Sequence, residues 1–438
     1  MRKKAPLILA ALGVVAAAAL FGGVLRGSDA GGGVTGSDPA TAVRLVSGFA
    51  PPTNTEAYVA ELEGRVAANP RDAQGNMLLG LAYQQRARET GDPSYYPRSE
   101  EALERSLSLT PRNYLAVTGL AALAASRHRF AEARRLAARA VRLSPSNAEA
   151  YGVLGDALVE LGRYRQAFAR FDEMVSRKPT LAAYARISYA RELLGHPAAA
   201  IAAMKRAVEA GAGTAEPAAW ALVQLGNLYF DTGRLVPAAR SYREALVRFP
   251  GYVHAQAGLG RVDAARGRYG AAAERYRGAV AKLPLPQYEA ALGDVLRLDG
   301  RPEAALRAYA VVDATERLLR ANAVRTELET ALFDLDHGRS VADALSRARE
   351  AYRERKSIEG EDVLAWALYQ NGRCGQALAH SRRALRLGTL DALKIFHHGM
   401  IQLCLGDEAA GLANLRRALG INPYFSLIYA PVAEKELR

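Results

Sequence analysis

Few residues of this 438-residue sequence have the type and spacing that catalysis or metal binding requires. It contains no G-x-x-x-x-G-K-[ST] phosphate loop, no H-E-x-x-H motif and no C-x-x-C pair. His397 and His398 are adjacent, and neighbours on a helix point about 100° apart, so we expect a core or groove histidine and not a shared metal. Asp334, Asp336 and His337 suggest either a divalent-cation site or, as we prefer, solvated capping residues at a helix end. The sequence therefore predicts no catalytic residue, no cofactor, no metal site and no enzyme.

Positive charge exceeds negative charge along the chain. Lys and Arg number 58 against 45 Asp and Glu, which gives a net charge of +13 and favours acidic partners or anionic surfaces. Basic side chains gather within residues 127–142, at Arg127, Arg129, Arg134, Arg135, Arg139 and Arg142. Such a patch suits nucleic acid, but a solvated outer helix face is the commoner structure. We do not expect nucleic acid as the partner, whereas anionic envelope polymers and lipid head groups stay open.

The N-terminus has the layout of an export signal. Basic residues at positions 2–4 precede an uncharged apolar run over residues 5–25, and Arg26 follows it. The run is long enough to cross a bilayer, so residues 1–26 are either a cleaved signal peptide or a membrane anchor. The positive-inside rule then places the rest of the chain outside the cytoplasm. Residues 27–54 are rich in Gly, Ser, Thr and Pro, which predicts a flexible linker.

Regularly spaced glycines divide the remainder of the chain. Glycines at positions 162, 195, 233, 267, 300, 338, 372 and 406 lie 33 or 34 residues apart, with two steps of 38. Prolines at positions 111, 145 and 179, and again at 250 and 284, share the 34-residue spacing. Two marks with one period indicate repeats. Apolar residues at helical spacing on both sides of each glycine predict a helical hairpin, with a left-handed glycine cap at its turn and a proline after its second helix.

The hairpins resemble tetratricopeptide repeats, whose pattern is an aromatic residue, then Leu-Gly, a second aromatic residue, Ala, an aromatic residue and Pro. The unit from residue 148 carries that pattern at Tyr151, Leu154, Gly155, Ala167, Phe171 and Pro179. The resemblance implies an all-α solenoid, a right-handed superhelix of stacked hairpins over residues 55–438. Ten hairpins begin near residues 73, 114, 148, 181, 219, 253, 286, 324, 358 and 392, with a lone helix at 55–68 and a short tail after Pro423 as caps.

Glycines inside the first helix of several units predict where two helices cross closely. We expect Gly155, Gly226, Gly260 and Gly293 at these crossings, with the small Ala and the aromatic residue of the second helix opposite them. The unit at 181 has Ser188 where this glycine is expected. The two long steps place extra residues near 211–216 and 313–319, and the array is either one continuous superhelix or two blocks.

The resemblance implies that the inner faces of the first helices form a concave binding groove. The residues assigned to this face are Trp220, Asn227, Phe230, Trp366, Tyr369, Phe396 and Met400. Large aromatic side chains on a concave wall suit an extended peptide or a partner helix. The alternative is that they pack between repeats.

Two cysteines occur in the last two units. Cys374 begins a second helix and Cys404 ends the first helix of the next hairpin, which places both at the same end of the stack. An exported chain can join them in a disulfide if their Cα atoms lie within about 4.4–6.8 Å. The alternative is a pair of unpaired buried thiols.

The leading functional hypothesis is a non-catalytic scaffold that binds partner peptides or helices in its groove, in the cell envelope, with residues 5–25 as a candidate membrane tether. The alternative is an exported binding protein or sensor that itself holds a peptide or an anionic polymer. A third hypothesis, a helical hydrolase, requires a buried cluster of histidines and carboxylates that the sequence does not reveal.

Overall fold

The computed structural model describes residues 55–213 and 215–438, so the predicted signal or anchor and the predicted linker lie outside it. Helices account for the regular secondary structure of the described part, and none of them is long and apolar enough to cross a membrane. They are α1 (Thr55–Ala68), α2 (Ala73–Thr90), α3 (Tyr95–Leu109), α4 (Tyr114–Ser126), α5 (Phe130–Leu143), α6 (Ala148–Glu160), α7 (Tyr164–Arg177), α8 (Leu181–Leu193), α9 (Pro197–Ala210), α10 (Ala215–Asp231), α11 (Leu235–Arg248), α12 (Val253–Ala265), α13 (Tyr269–Lys282), α14 (Pro286–Leu298), α15 (Pro302–Ala321), α16 (Glu327–Asp336), α17 (Val341–Glu354), α18 (Ile358–Gln370), α19 (Cys374–Ala384), α20 (Ala392–Cys404), α21 (Glu408–Ile421) and α22 (Ala430–Glu436).

Helices α2 to α21 pair into ten antiparallel hairpins, and each hairpin packs on the next except between the seventh and the eighth, where α15 and α16 make few contacts. The eight regularly spaced glycines all adopt a positive φ at the hairpin turns, for example +72° at Gly162. This conformation is strained for residues with a Cβ atom, which confirms the predicted left-handed caps. His128 adopts a φ of 56° at the corresponding turn of the α4–α5 hairpin.

Inside the hairpins, the predicted helix crossings are confirmed. A Cβ atom on Gly155 would overlap the ring of Phe171, and one on Gly226 would overlap the ring of Tyr242. Each ring therefore fills the space left by the missing side chain, which holds the two helices in close contact. Where the fourth hairpin lacks this glycine, the Ser188 hydroxyl instead donates to the Ala200 carbonyl at 2.8 Å.

The two long steps in the repeat lengthen helices. The first helix of the fifth hairpin, α10, has 17 residues, and α15 of the seventh hairpin has 20. After α15 the helix packing thins, which fits the break predicted near 313–319, and a few side chains bridge it: the ring of Phe333 on α16 packs edge-on against Tyr309 at 5.7 Å between centroids. The His337 ring Nε2 also lies 2.9 Å from Asp294 Oδ1, which ties the eighth hairpin to the seventh.

The solenoid winds tightly enough for its second turn to contact its first. At the turn of the second hairpin, Arg127 O accepts a hydrogen bond of 3.2 Å from the backbone N–H of Arg325, which precedes the eighth hairpin. At the third hairpin, the Tyr164 hydroxyl accepts from the N–H of Ile358 in the ninth at 2.6 Å. Six hairpins therefore complete one turn. We call the line of contact the seam: residues 127–128, 160–164, 195 and 233 on one side, residues 325–329, 355–358, 388 and 421–423 on the other.

A buried ion pair lies across the seam. The side chain of Arg355 is 8% exposed and donates from Nε to Glu160 Oε2 and from Nη1 to Glu329 Oε1, both at 2.6 Å. Glu160 belongs to the first turn of the superhelix and Glu329 to the second. Although burial opposes ionisation, Arg355 and His128 hold the pKa of Glu329 below its ordinary value.

Two of the regularly spaced glycines also allow the first and second turns of the superhelix to come into contact. A Cβ atom on Gly162 would overlap the carbonyl oxygen of Lys356, and one on Gly195 would overlap that of Gly388. No atom within 4 Å would obstruct a Cβ atom on Gly267 or Gly372, which carry the same left-handed cap away from the seam. Glycine at 162 and 195 therefore satisfies both a conformational and a steric requirement.

Candidate functional site

The closed winding surrounds a cavity of ≈1810 Å³, which we call the lumen. The first helices of all ten hairpins contribute to its wall, from Gln84 on α2 to Lys394 on α20. Sites for small molecules usually have a volume of about 300–1,000 Å³. The lumen therefore has room for a longer ligand, such as a stretch of polypeptide.

Aromatic side chains form a ladder on one wall of the lumen. Trp220, His254 and Tyr288 recur at intervals of 34 residues on α10, α12 and α14, and all three line the cavity. The His254 Nδ1 atom lies 2.6 Å from the Tyr288 hydroxyl, and burial lowers the pKa of His254 to about 4, so this ring is neutral at pH 7. Next to the ladder, the Tyr252 hydroxyl donates to Glu216 Oε1 at 3.0 Å. The wall thus combines flat π faces with carboxylates.

The lumen is acidic although the chain as a whole is basic. Six Lys or Arg side chains line it. The twelve acidic side chains in its wall are Glu89, Glu149, Glu192, Glu216, Asp231, Asp294, Asp313, Glu316, Glu329, Asp336, Glu359 and Asp391. Enclosure by protein weakens the screening of these charges by solvent, so their excess acts on anything inside.

Most basic groups of the lumen already pair with carboxylates of the wall. The Arg186 guanidinium donates to both oxygens of Asp156, with distances of 2.8–3.1 Å. The Arg261 guanidinium donates to Asp231 Oδ1 at 2.9 Å and lies over the ring of Phe230. Paired cations offer little attraction to an anionic ligand.

Glu192 is a carboxyl group in the lumen that faces other carboxyl groups. Within the described ranges it has no hydrogen-bond partner, and Asp231, Asp391 and Glu359 lie near it, with Lys394 as the nearest cation. Burial, followed by repulsion from Asp231 and Asp391, raises the pKa of Glu192 to about 8. At pH 7 this group is therefore largely protonated in the empty lumen.

Three of the predicted groove residues lie on the lumen wall. Trp220 belongs to the aromatic ladder, and Asn227 lines the cavity while its Oδ1 accepts from the Tyr242 hydroxyl at 2.8 Å. Phe230 also borders the lumen, but its side chain is 1% exposed under the Arg261 guanidinium, 3.8 Å from the ring centroid. Asn227 and the small exposed part of Trp220, 6% exposed, can contact a ligand, whereas Phe230 supports the wall.

The other four predicted groove residues do not form an open groove. Trp366 stacks on Tyr369 at 4.7 Å and donates from Nε1 to the Tyr429 hydroxyl at 3.1 Å, and it is 3% exposed. Phe396 is fully buried, and Tyr369 and Met400 pack against the same core cluster. The groove assignment is wrong for these four residues because the C-terminal segment around α22 folds over this face. They pack between repeats, as the alternative interpretation of the sequence predicted.

The residues around 334–337 form neither a divalent-cation site nor solvated caps. Asp334 is buried and pairs with Arg347, while Asp336 accepts from the Tyr429 hydroxyl at 2.9 Å. Burial raises the pKa of Asp336 to about 6. His337 bridges the hairpins as described above. Across the described part of the chain, no group of three or more His, Cys, Asp or Glu side chains has an arrangement suited to a metal ion.

His397 and the two cysteines, both singled out in the sequence, lie in the last hairpins. His397 is fully buried, with Nδ1 3.0 Å from Asp362 Oδ2 and its ring stacked on Trp366 at 4.1 Å. Cys374 and Cys404 form a disulfide with a Cα–Cα distance of 6.2 Å, which links α19 to the end of α20. Both features hold the last hairpins together and leave the lumen to the first helices of the array.

The basic patch at 127–142 is smaller on the folded surface than in the sequence. Arg127 is 2% exposed and pairs with Glu100, and Arg129 pairs with the same carboxylate at 2.8 Å. Two of its six arginines are therefore already neutralised locally.

Sequence reasoning missed the acidity of the lumen, although a signal existed. The ten first helices together carry a net charge of −10 and the ten second helices +11. Most of the negative charge comes from α6, α16 and α18, which carry −3, −4 and −3, and these helices lie far apart along the chain. Sorting the charges by helix position within each hairpin would have found the pattern.

Known proteins share this repeat. Two family profiles, each described as tetratricopeptide repeat, match the chain, one at residues 124–188 and the other at residues 94–148, 184–253 and 223–285. No curated protein matches it. The profiles thus identify tetratricopeptide repeats within residues 94–285.

Solved structures share the fold alone. The human IFIT1 dimer with m7Gppp-AAAA is 16% identical, with a TM-score of 0.48 over 76% of this chain and 77% of that chain. TTC0263, a thermophilic tetratricopeptide protein of Thermus thermophilus, is 23% identical, with a TM-score of 0.38 over 46% of this chain and 98% of that one. PilW, a type IV pilus biogenesis factor, is 18% identical, with a TM-score of 0.39 over 48% and 97%.

Proposed function

We propose that this chain is a non-catalytic scaffold that holds an extended segment of a partner polypeptide inside its lumen. The observation that carries the proposal is a cavity of ≈1810 Å³ to which all ten first helices contribute. Its volume suits several residues of a chain better than a small metabolite. Tyr288 is half-buried in the wall and Trp220 and Tyr252 border it at 6% and 7% exposure, and large aromatic side chains supply much of the affinity in protein interfaces.

The histidine environments support a scaffold over a hydrolase. Both ring nitrogens of His337 are engaged, Nδ1 with the Phe333 carbonyl at 2.7 Å and Nε2 with Asp294 at 2.9 Å. His397 is buried against Asp362 and Trp366, away from the lumen wall. Both of these histidines thus stabilise helix packing. His398 Nδ1 does lie 2.8 Å from the Ser381 hydroxyl, but that serine is fully buried and does not line the lumen.

We further propose that the scaffold works outside the cytoplasm, held by or released from its N-terminal segment. The basic residues and apolar run at 2–25 support export. The disulfide between Cys374 and Cys404 supports an oxidising compartment, because cytosolic thiols are usually kept reduced. Protease added to intact cells should digest the chain, after mild permeabilisation of an outer envelope where one is present. A chain that stays protected until the cytoplasmic membrane is lysed would contradict export.

Substitutions that narrow the lumen test whether partners bind inside it. Ala291 lines the cavity on α14 and is half-buried, so Ala291→Trp should fill part of the lumen. Ala281 is exposed on α13 away from the lumen, which makes Ala281→Trp the matched control. Proteins captured from a cell extract by the native chain and by the control should be lost with Ala291→Trp, and Trp220→Ala should weaken their capture. Equal capture by the Ala291→Trp variant would show that partners bind elsewhere.

A further inference from the structure

We propose that the lumen selects polypeptide segments rich in arginine or lysine and rejects acidic segments. This inference rests on the proposed function, because it assigns a chemical class to the segment that the lumen holds. It runs against the net charge of +13, which by itself favours acidic partners.

The first argument is the separation of charge between the two layers of helices. First helices, which supply most of the lumen wall, total −10 over their whole length, and second helices total +11, although α15, a second helix, also contributes Asp313 and Glu316 to the wall. In the lumen wall, carboxylates outnumber Lys and Arg by twelve to six. Because the lumen is partly shielded from solvent, this excess favours cations inside it and repels anions.

The second argument comes from buried acceptors that lack donors. Glu149 Oε1, Gln287 Oε1 and Glu329 Oε2 are buried oxygens of lumen residues, and none receives a hydrogen bond from the described chain. Glu149 is only 9% exposed, and although Arg186 opposes the effect, burial raises its pKa. A buried acceptor without a donor is costly, so a ligand that donates hydrogen bonds gains affinity there. Guanidinium and ammonium groups supply donors and positive charge together.

The third argument is the carboxyl group of Glu192. Asp231, Asp391 and Glu359 face it from α10, the turn before α20 and α18, and Lys394, which pairs with Asp391 and Glu359, only partly offsets them. A ligand cation placed among these groups would relieve their repulsion and lower the pKa of Glu192 from about 8. Binding at pH 7 should therefore release a proton from this residue.

The aromatic ladder adds attraction for the same class of ligand. Trp220 and Tyr288 present ring faces at the wall, and Tyr252 lies between α11 and α12 beside Glu216. Cations bind favourably over such faces, and the more so where water is excluded. The apolar stems of Arg and Lys side chains can pack along the same rings.

The test measures binding of labelled peptides to the full chain in a mild detergent by fluorescence anisotropy. Three peptides of equal length alternate Ala with Arg, with Gln or with Glu. We expect the Arg peptide to bind at least about tenfold more tightly than the Gln peptide, and the Glu peptide to bind most weakly. Equal or tighter binding of the Glu peptide would overturn the proposal.

Paired substitutions locate the effect. Glu149→Gln with Glu192→Gln replaces two lumen carboxyl groups, which can ionise beside a bound cation, by neutral amides of the same shape, and it should weaken binding of the Arg peptide by about tenfold or more. Glu209→Gln with Glu303→Gln removes two charges from exposed positions outside the lumen and should change binding less than twofold. Circular dichroism checks that both variants are folded. Equal losses in the two pairs would indicate non-specific attraction and overturn the proposal.

Calorimetry separates this inference from the proposed function. Titration of the Arg peptide in two buffers with different ionisation enthalpies should show proton release at pH 7, reduced by Glu192→Gln. If Ala291→Trp abolishes partner capture but the Arg peptide is not preferred, the lumen remains the binding site and the charge assignment fails. Spermine serves as a competitor: displacement of the Arg peptide supports the cation site, whereas tighter binding of spermine than of any peptide overturns the polypeptide assignment.

Discussion

Replacing Arg355 by Met should open the seam between the two turns of the solenoid. Arg355 bridges Glu160 and Glu329 with two hydrogen bonds of 2.6 Å, and its side chain and that of Glu160 are 8% and 3% exposed. Methionine has a similar length but no charge, so Glu160 would stay buried without a partner. Removing one member of a buried ion pair costs about 3–5 kcal/mol, so the free energy of unfolding should fall by about that amount.

A buried ion pair within one turn provides the matched control. Arg186 and Asp156 are 3% and 2% exposed and join α8 to α6, neighbouring first helices of the first turn. Arg186→Met should reduce the free energy of unfolding by a similar amount but leave the two turns in contact. Urea unfolding measures the loss for both variants. Small-angle X-ray scattering in the absence of urea should show an increased radius of gyration for Arg355→Met and none for Arg186→Met.

Two results would refute the role of the seam. One is an Arg355→Met variant that unfolds within about 1 kcal/mol of the native chain, because the pair would then contribute no more than an exposed one. The other is an unchanged scattering curve, because the two turns would then be held together without the pair. Adding Glu160→Gln to Arg355→Met should recover part of the lost stability, since the second change removes the unpaired buried charge.

Three further changes test the lumen, the hairpins and the last repeats. Glu192→Gln should raise the free energy of unfolding by about 1–2 kcal/mol near pH 9 and leave it nearly unchanged near pH 5. The reason is that the carboxyl of Glu192 has a pKa of about 8 in the folded chain and an ordinary pKa of 4.5, so it destabilises the folded chain as the pH rises between these two values. Urea midpoints at the two pH values measure this effect. Gly155→Ala should cost about 1–3 kcal/mol through overlap with the facing ring, whereas Gly278→Ala, with no atom within 4 Å, should stabilise the helix by up to about 1 kcal/mol; calorimetric melting compares them. Replacing Cys374 and Cys404 together by Ser should cost about 3–4 kcal/mol for a bridge with a sequence separation of 30, and a reductant should lower the melting temperature of the native chain but not of the double variant.

The local repeat was predictable because each hairpin carries its own signals. The φ of +72° at Gly162 and the contact of Phe171 with Gly155 follow from residues within one unit. Predicted starts of first helices at 73, 148, 253 and 392 agree with the structure. Two starts differ: α10 begins at Ala215 instead of 219, and α16 begins at Glu327 instead of 324, both next to the extra residues of a long step. Insertions lack the periodicity from which a boundary is placed.

The seam and the cover over Trp366 were not predictable in the same way. Arg355 and Glu160 lie 195 residues apart, and their contact depends on small rotations added over six hairpins. Trp366 and Tyr429 lie 63 residues apart, and nothing near Trp366 indicates that the C-terminal segment covers it. Trp220 has the same kind of neighbours in sequence, yet it faces the lumen because no cap reaches the middle of the array.

Closure of the solenoid and the charge of the lumen depend on each other. On an open concave wall, water and salt would screen carboxylates that come one or two per repeat, and screening extends over only about 8–10 Å. With the turns in contact, burial, followed by repulsion from Asp231 and from Asp391 of the next turn, raises the pKa of Glu192 on α8 to about 8. Opening the seam with Arg355→Met should therefore return the pKa of Glu192 towards its ordinary value and reduce the preference for the Arg peptide over the Gln peptide. Anisotropy measures this ratio. A ratio that stays unchanged in a variant whose scattering shows an open solenoid would mean that single repeats, and not the closed lumen, select the charge of the ligand.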